Sequence, residues 1–200
     1  MRTATVPLED PDVQLMLRFS QGDSRAFQDL FAKYSAAVVN FAFQYVGARA
    51  RAEEIAQDVF VQVFRWRERY RPKARFATWL FRIARNHCLN ELRRGEYRVS
   101  VETCDPSPDE DGGENRWEPA DPNPGRGEDL LAAREAEDTI RATLARLPPN
   151  QRAALVLSRM EGLSYAEAAQ VLGCSEKAIK SLVFRATQSL REALRDFLTP

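Results

Sequence analysis

The chain has 200 residues, of which 44% are hydrophobic and 29% charged, and its formal net charge is zero. That content suffices for one large packed core or two small ones, and no apolar run approaches the length of a membrane span. The polar N-terminus lacks a signal-peptide pattern, so we expect a cytoplasmic protein with no direct membrane insertion. A single histidine, His87, and three cysteines without paired spacing predict no metal site, and we expect no cofactor.

The zero net charge conceals three regions of different sign. Residues 1–100 hold 17 basic and 11 acidic side chains, residues 101–138 hold 3 and 13, and residues 139–200 hold 9 and 5. Two basic ends therefore flank an acidic middle. Basic ends favour a nucleic-acid partner, which the net charge alone does not indicate.

Apolar residues recur at helical spacing through the first hundred residues, and no segment alternates with the period of a strand. The sequence therefore predicts an all-α protein. Proline, aspartate and glycine residues mark most ends of the predicted helices, which run from Asp10-Pro11 to Gly22, from Asp23 to Gly47, from Arg51 to Trp66 and from Phe76 to Arg94.

Residues 65–94 combine many arginines with aromatic side chains. Arginine contacts phosphates, and aromatic rings stack on unpaired bases, each stack contributing roughly 1–3 kcal/mol. This mixture suits single-stranded nucleic acid better than duplex. Two readings of Trp79 stay open, because its spacing to Leu80 and Ile83 is also that of a core face.

The segment 101–128 is rich in proline, glycine and acidic residues and has almost no apolar side chains except Trp117. Such a segment cannot bury enough surface to offset the entropy of the ordered chain. The sequence therefore predicts a flexible acidic linker at residues 99–130, between helical domains at residues 1–98 and 131–200.

Residues 147–186 have the pattern of a helix-turn-helix. Pro148-Pro149 begins one helix, and Ser164 with Glu167 forms a capping box for the next. Gly173 suits a left-handed C-terminal cap, and Ser175 begins a long helix with a basic free face. Two short helices joined by such a turn are typical of major-groove DNA binding, although helical hairpins of this kind also occur in other proteins.

Four segments resemble, in the same order, those of the extracytoplasmic-function group of bacterial RNA polymerase sigma factors. They are GDSRAFQDLFAKY (22–34), RAEEIAQDVFVQVFRW (51–66), FATWLFRIARNHCLNELRR (76–94) and the helix-turn-helix segment 147–186. The resemblance implies an alternative sigma factor, which is not an enzyme. It would bind core RNA polymerase, recognise the −35 and −10 promoter elements, promote local melting and initiate transcription of a specific regulon.

The resemblance also implies the partners and the residues that meet them. The partners are core polymerase (the coiled coil of the largest subunit and the −35 side of the second-largest subunit), promoter DNA and an anti-sigma factor. Core polymerase would meet Glu54, Gln57, Asp58 and Phe60. The −10 strand would meet Tyr70, Lys73, Arg75, Phe76, Trp79, Arg82, Asn86 and Asn90. The −35 duplex would meet Ser175, Lys177, Lys180, Ser181, Phe184 and Arg185.

Two positions depart from the family pattern. Leu182 stands where arginine is frequent, and Ala178 where threonine is common. A leucine removes a phosphate or base contact, so the resemblance does not predict the promoter sequence.

Three other functions remain to be weighed. A regulator that binds DNA without polymerase would need a sensory domain where this chain is basic and aromatic. An enzyme acting on nucleic acid would need a metal cluster or an acid–base pair, which one histidine and scattered carboxylates do not supply. A degenerate sigma factor kept for partner binding has Leu182 as its only indication.

Overall fold

The computed structural model describes residues 9–94 and 127–195, with side chains left undescribed at 127–134 and at 137. Every regular element in these residues is helical, which confirms the predicted all-α class. The linker predicted at residues 99–130 lies outside the described residues as far as residue 126, and its last four residues are helical, because the next helix begins at Gly127. The helices are α1 (Pro11–Ser20), α2 (Ser24–Val46), α3 (Arg49–Trp66), α4 (Phe76–Arg94), α5 (Gly127–Arg146), α6 (Pro149–Leu155), α7 (Tyr165–Leu172) and α8 (Glu176–Ala193).

The ends of the first two helices follow the predicted capping residues. Asp10 caps α1, and Asp23 caps α2 by accepting hydrogen bonds from the backbone of Arg25 and Ala26. Gly47 ends α2 with φ of 68°, a left-handed conformation that favours glycine. The third helix starts at Arg49, two residues before the predicted start. The sequence does not mark this start, because Ala48 has no side chain that can cap a helix.

The four N-terminal helices surround one apolar core. All four contribute side chains with no exposed surface, including Met16, Phe41, Val59 and Phe81. A buried polar cluster ties α1 to α2, since the Asp12 carboxylate accepts from Lys33 Nζ at 2.7 Å and from the Tyr34 hydroxyl at 2.5 Å. Burial, with the hydrogen bond to Asp12, raises the pKa of Tyr34 well above its usual range.

The C-terminal helices form the predicted helix-turn-helix. The helix that starts at Pro149 continues beyond α6 as a π-helical turn over Val156–Met160. Gly162 follows it with φ of 63°, and the full Ser164–Glu167 capping box begins α7. Gly173 ends α7 with φ of 65°, and Ser175 Oγ accepts from the Ala178 amide at 3.1 Å to cap α8.

The two helical domains touch through α4 and α7, and buried side chains of both join one apolar cluster. The Arg75 guanidinium, just before α4, lies 3.7 Å from the Glu167 carboxylate of the capping box. At the midpoint of α4, Arg85 lies against Gly173 at the end of α7. The helix-turn-helix therefore rests on the same helix that carries the predicted −10 residues.

Candidate interfaces for a protein partner and nucleic acid

One face of α3 presents a continuous stripe of exposed side chains at spacings of three and four residues. Its N-terminal half is polar, and its C-terminal half is apolar, with Val61 and Phe64 each 47% exposed. The members are Glu54, Gln57, Asp58, Val61 and Phe64. We call this set the α3 stripe. The structure thus brings three of the four predicted polymerase-contacting residues onto one surface.

Phe60, the fourth residue of that prediction, is buried and requires a correction. Its side chain is 4% exposed, and its ring lies 4.8 Å from the ring of Phe31, edge to face. The reason is helical phase, because Phe60 falls on the same side of α3 as the buried Ala56 and Val63. Phe31, which is 45% exposed, covers it and lies at the surface in its place.

Arg51 holds the N-terminal end of the α3 stripe in place. Its guanidinium donates to both carboxylate oxygens of Glu91 on α4 and also to Glu54. Hydrogen bonding to Arg51 lowers the pKa of the Glu91 carboxyl below its usual value. The Glu54 carboxylate is therefore oriented by a cation that is itself fixed between two helices.

A cleft of about 330 Å³ lies beside the first half of α4. Its lining combines cationic side chains with aromatic rings. The lining residues are Trp66, Arg69, Tyr70, Arg71, Lys73, Ala74, Thr78, Trp79, Arg82 and, from α7, Gln170. We call it the α4 cleft, and its combination of charge and aromatic surface is what a single nucleic-acid strand requires.

Two of the predicted −10 residues are structural. Phe76 has no exposed surface, and Tyr70 is only 5% exposed. Burial, together with the nearby charge of Asp10, raises the pKa of Tyr70 to about 12. The resemblance implies base contact for both, but aromatic residues among arginines look alike in sequence, whether they stack on bases or on each other.

Trp79 has both of the roles that the sequence leaves open, since it packs on the core and also lies at a surface where a base could stack. It is half-buried, its ring lies 4.9 Å from that of Tyr70 and 5.8 Å from that of Phe76, and it also lines the α4 cleft. Packing of one face on the core leaves part of the ring at the cleft surface. Trp79 is therefore placed both to support the cleft and to line it.

The remaining predicted −10 residues are polar and accessible. Lys73, Arg82, Asn86 and Asn90 are exposed, and the last three succeed one another by about one turn along α4. Asn90 also lines a second groove between α3 and α4, where His87 Nε2 lies 2.6 Å from Gln62 Oε1. Arg75 is half-buried, because it lies between Asp10, at 4.0 Å, and Glu167, at 3.7 Å.

The predicted −35 residues lie on the free side of α8. Lys177, Lys180, Phe184 and Arg185 are exposed, whereas Ser181 is half-buried. Ser175 is exposed, but its hydroxyl is used as the helix cap. Lys180 Nζ lies 3.7 Å from Glu176, an ion pair along the helix surface. The basic face of α8 is therefore available to a duplex in the way that the helix-turn-helix pattern predicts.

Leu182 has a structural explanation. Its side chain is partly buried and packs against the apolar cluster, while Ala178 is 3% exposed in the same helix. These two departures from the family pattern thus face the core side of α8 rather than its basic face. They alter packing beneath the predicted DNA contacts.

Residues 9–94 and 127–195 include no helix that is long and apolar enough to cross a membrane. The same stretches hold no group of three or more histidine, cysteine, aspartate or glutamate side chains arranged to bind a metal ion.

Comparison with known proteins gives a consistent result over both halves of the chain. Residues 30–97 match sigma-70 region 2, and residues 137–190 match sigma-70 region 4. The chain is 31% identical to the RNA polymerase sigma-H factor of Pseudomonas aeruginosa, over 95% of this chain and 97% of that protein. It is 34% identical to the RNA polymerase sigma factor CarQ of Myxococcus xanthus, over 90% and 95% of the two chains.

Solved structures give the same picture. CnrH in complex with the cytosolic domain of CnrY aligns with a TM-score of 0.60 and 28% identity, covering 94% of this chain and 99% of that one. The sigma factor RpoE of Bartonella quintana, in complex with the anti-sigma factor NepR, aligns with a TM-score of 0.57 and 25% identity, covering 84% and 96%.

Proposed function

Because the chain belongs to the sigma-70 family and is an alternative sigma factor of the extracytoplasmic-function group, we propose specific roles for its two helical domains. Residues 1–98 bind core polymerase and the −10 element, and residues 131–200 bind the −35 element, with residues 99–130 as the acidic linker. Sigma factors are transcription initiation factors. We place the chemistry of RNA synthesis entirely in the polymerase, and the chain in the cytoplasm where that enzyme works.

We assign core-polymerase binding to the α3 stripe. Its carboxylates, Glu54 and Asp58, favour a cationic partner surface, and its apolar end suits a contact that excludes water. The contiguity of acidic and exposed apolar side chains on one helix supports this assignment. Phe64 and Phe31 join the contact in place of Phe60, because their rings are accessible and that of Phe60 is not. The partner surface is the coiled coil of the largest subunit.

We assign −10 recognition to the α4 cleft and to the exposed face of α4 beyond it. Lys73 and Arg82 are placed to meet phosphates, and the exposed edge of Trp79 to stack on an unpaired base. Asn86 and Asn90 offer amide groups that hydrogen-bond to base edges. Unstacking a base costs a few kcal/mol, so several such contacts together are needed to hold an opened strand.

We assign −35 recognition to the exposed face of α8. Lys180 and Arg185 supply donors that suit guanine O6 and N7 in a major groove. Lys177, in the first turn, is nearer to the positive end of the helix dipole, where phosphates bind. The accessible basic face of α8, within a complete helix-turn-helix, is the single observation that carries the proposed promoter recognition.

We also propose an anti-sigma factor as a partner. Two similar structures, those of CnrH and of the Bartonella quintana RpoE, are complexes with the cytosolic domain of CnrY and with the anti-sigma factor NepR. The α3 stripe and the α4 cleft are surfaces that such a protein would need to cover to block polymerase and DNA.

The function is tested by run-off transcription with purified core polymerase. Sheared genomic DNA serves as template, and transcript 5′ ends are mapped with and without the chain. We expect discrete start sites only when the chain is added, each with shared −35 and −10 sequences. Specific DNA binding by the chain alone, without any initiation, would instead identify a regulator that acts without polymerase.

A further inference from the structure

We propose that Asp10, near the start of α1, is a positioning residue for −10 recognition, because its carboxylate fixes the first turn of α4. The inference rests on the proposed assignment of the −10 strand to the α4 cleft. Asp10 lies 66 residues before the start of that helix, and no contact to nucleic acid is assigned to it.

The Asp10 carboxylate makes two hydrogen bonds to the starts of two different helices. Oδ1 accepts from the Asp12 amide of α1 at 3.0 Å, and Oδ2 accepts from the Phe76 amide of α4 at 3.1 Å. The residue is 8% exposed, so these bonds are shielded from water. One buried side chain therefore caps both helices.

This arrangement supplies a hydrogen-bond acceptor for the N-terminus of α4, which the sequence just before α4 lacks. The residue just before α4 is Arg75, and arginine has no acceptor atom with which to cap a helix. The first amide groups of a helix need an acceptor, and those of α4 are buried among aromatic rings. Asp10 provides that acceptor from α1, and its Oδ2 also lies 4.0 Å from Arg75 Nε.

The first turn of α4 governs the geometry of the α4 cleft. Phe76 and Trp79 lie in this turn, and their rings are 5.8 Å apart. Trp79 also packs on Tyr70, and both rings line the cleft. The raised pKa of Tyr70, to which the Asp10 charge contributes, agrees with this proximity. A shift of the α4 start would therefore move Arg75 and the aromatic rings that line the cleft together.

The test compares Asp10→Asn with the matched control Asp23→Asn. Asp10 uses Oδ1 for α1 and Oδ2 for α4, so an asparagine, which has only one acceptor oxygen, keeps at most one of these two bonds. At position 23 a single oxygen, Oδ1, already accepts from both Arg25 and Ala26, so asparagine keeps that cap. The control loses only the ion pair of Asp23 with Arg18, an arginine side chain that is 58% exposed.

The measurement uses the full chain reconstituted with core polymerase. The probe is a promoter fragment from the run-off mapping whose −10 non-template strand is left single-stranded and has its native sequence, which we call the intact −10 strand. The control fragment is identical except that its −10 sequence is scrambled. For Asp10→Asn we expect about tenfold weaker binding of the intact −10 strand, in line with the loss of a helix cap. Affinity for core polymerase stays within about twofold of wild type, and Asp23→Asn matches wild type in both.

The possible results separate the role of Asp10 from a general loss of folding. Unchanged −10 affinity in Asp10→Asn overturns the proposal, as does an equal loss of core and −10 affinity, which would mark Asp10 as merely structural. If Asp10→Asn does not fold, Asp10→Ser serves instead, since its short hydroxyl can cap α1 but lacks a second acceptor for α4. A wild-type holoenzyme with no preference for the intact strand refutes the assignment of the α4 cleft itself.

Discussion

The guanidinium of Arg85 lies over Gly173, with Nη1 3.6 Å from the position that a Cβ atom on this glycine would take. Arg85 belongs to α4 and Gly173 ends α7, so this contact joins the two helical domains. It places a cation at the negative end of the α7 dipole, where positive charge is stabilising. At this distance a Cβ atom on residue 173 would be in ordinary van der Waals contact with Arg85, so the glycine is required by its positive φ and not by the contact.

Replacing Gly173 with alanine is expected to destabilise the fold by about 1 kcal/mol, because φ of 65° disfavours any side chain. Gly162→Ala is the matched control, since Gly162 has a similar φ of 63° but nothing within 4 Å of its Cβ position. Urea unfolding of the two variants should give similar losses. A loss several kcal/mol larger for Gly173→Ala would contradict the ordinary van der Waals distance to Arg85.

Alanine substitutions at Phe60 and at Phe64 should affect different properties, the first mainly stability and the second mainly polymerase binding. Phe60→Ala removes a buried ring and is expected to cost about 3–5 kcal/mol of unfolding free energy. Phe64→Ala removes a half-exposed ring, so we expect about 1 kcal/mol of lost stability but roughly tenfold weaker core binding. Urea titration and fluorescence titration of labelled chain with core polymerase measure the two effects. Wild-type core affinity in Phe64→Ala would refute the α3 stripe as the docking surface.

Arg185→Ala should weaken binding to a −35 duplex by about 1–3 kcal/mol if the side chain pairs with a base. Arg191→Ala, on the same helix and equally exposed, is the charge-matched control and should have a smaller effect. Holoenzyme binding to intact and scrambled −35 fragments is the measurement. Equal losses on both fragments would show that Arg185 contacts phosphate and does not read sequence.

Stability should fall with rising pH above about 8.5, and Cys88 should account for the first part of that fall. Burial raises the pKa of the Cys88 thiol to about 12, so the folded state keeps its proton while the unfolded state loses it. The contribution is complete below the unfolded pKa and disappears as pH approaches 12. The expected slope near pH 9.5 is about 1 kcal/mol per pH unit.

The Cys88 slope is measured by urea unfolding between pH 8 and pH 10 and compared with that of Cys88→Ala. The variant has its own cost from the lost packing, so the comparison is between slopes and not between absolute stabilities. Tyr34 and Tyr70 have raised pKa values of the same sign and take effect only above about pH 10. An unchanged slope in Cys88→Ala would assign the pH dependence to other groups.

The parts of the fold that the sequence predicts are those set by local chemistry. Asp23, Gly47, the Ser164–Glu167 box and Gly173 mark helix ends because each acts within a few residues of its own position. The start of α3 has no such marker, and the prediction missed it by two residues. The bond from Asp10 to Phe76 depends on two distant segments meeting, which no local pattern encodes.

In the candidate sites, too, some features follow from local chemistry and others from contacts between distant segments. Charged and amide side chains such as Asp58, Arg82 and Asn86 are exposed as expected, because burying them without partners would be costly. The exposure of aromatic side chains is harder to predict from sequence. Phe60 and Phe64 lie four residues apart in similar sequence surroundings, but Phe60 is buried under the ring of Phe31 whereas Phe64 is exposed. The contact between α4 and α7 had no sequence signal at all.

The contact between α4 and α7 sets a geometric condition on promoter binding. The −35 and −10 elements lie about 25 base pairs apart, or about 85 Å along straight B-form DNA. In the proposed assignment, α4 binds the −10 element and the helix-turn-helix that contains α7 binds the −35 element. If so, the arrangement in which α4 and α7 touch and the promoter-bound arrangement exclude each other. On that proposal, the free energy of the Arg75–Glu167 and Arg85–Gly173 contacts is subtracted from that of promoter binding, and substitutions that weaken these contacts favour the promoter-bound arrangement.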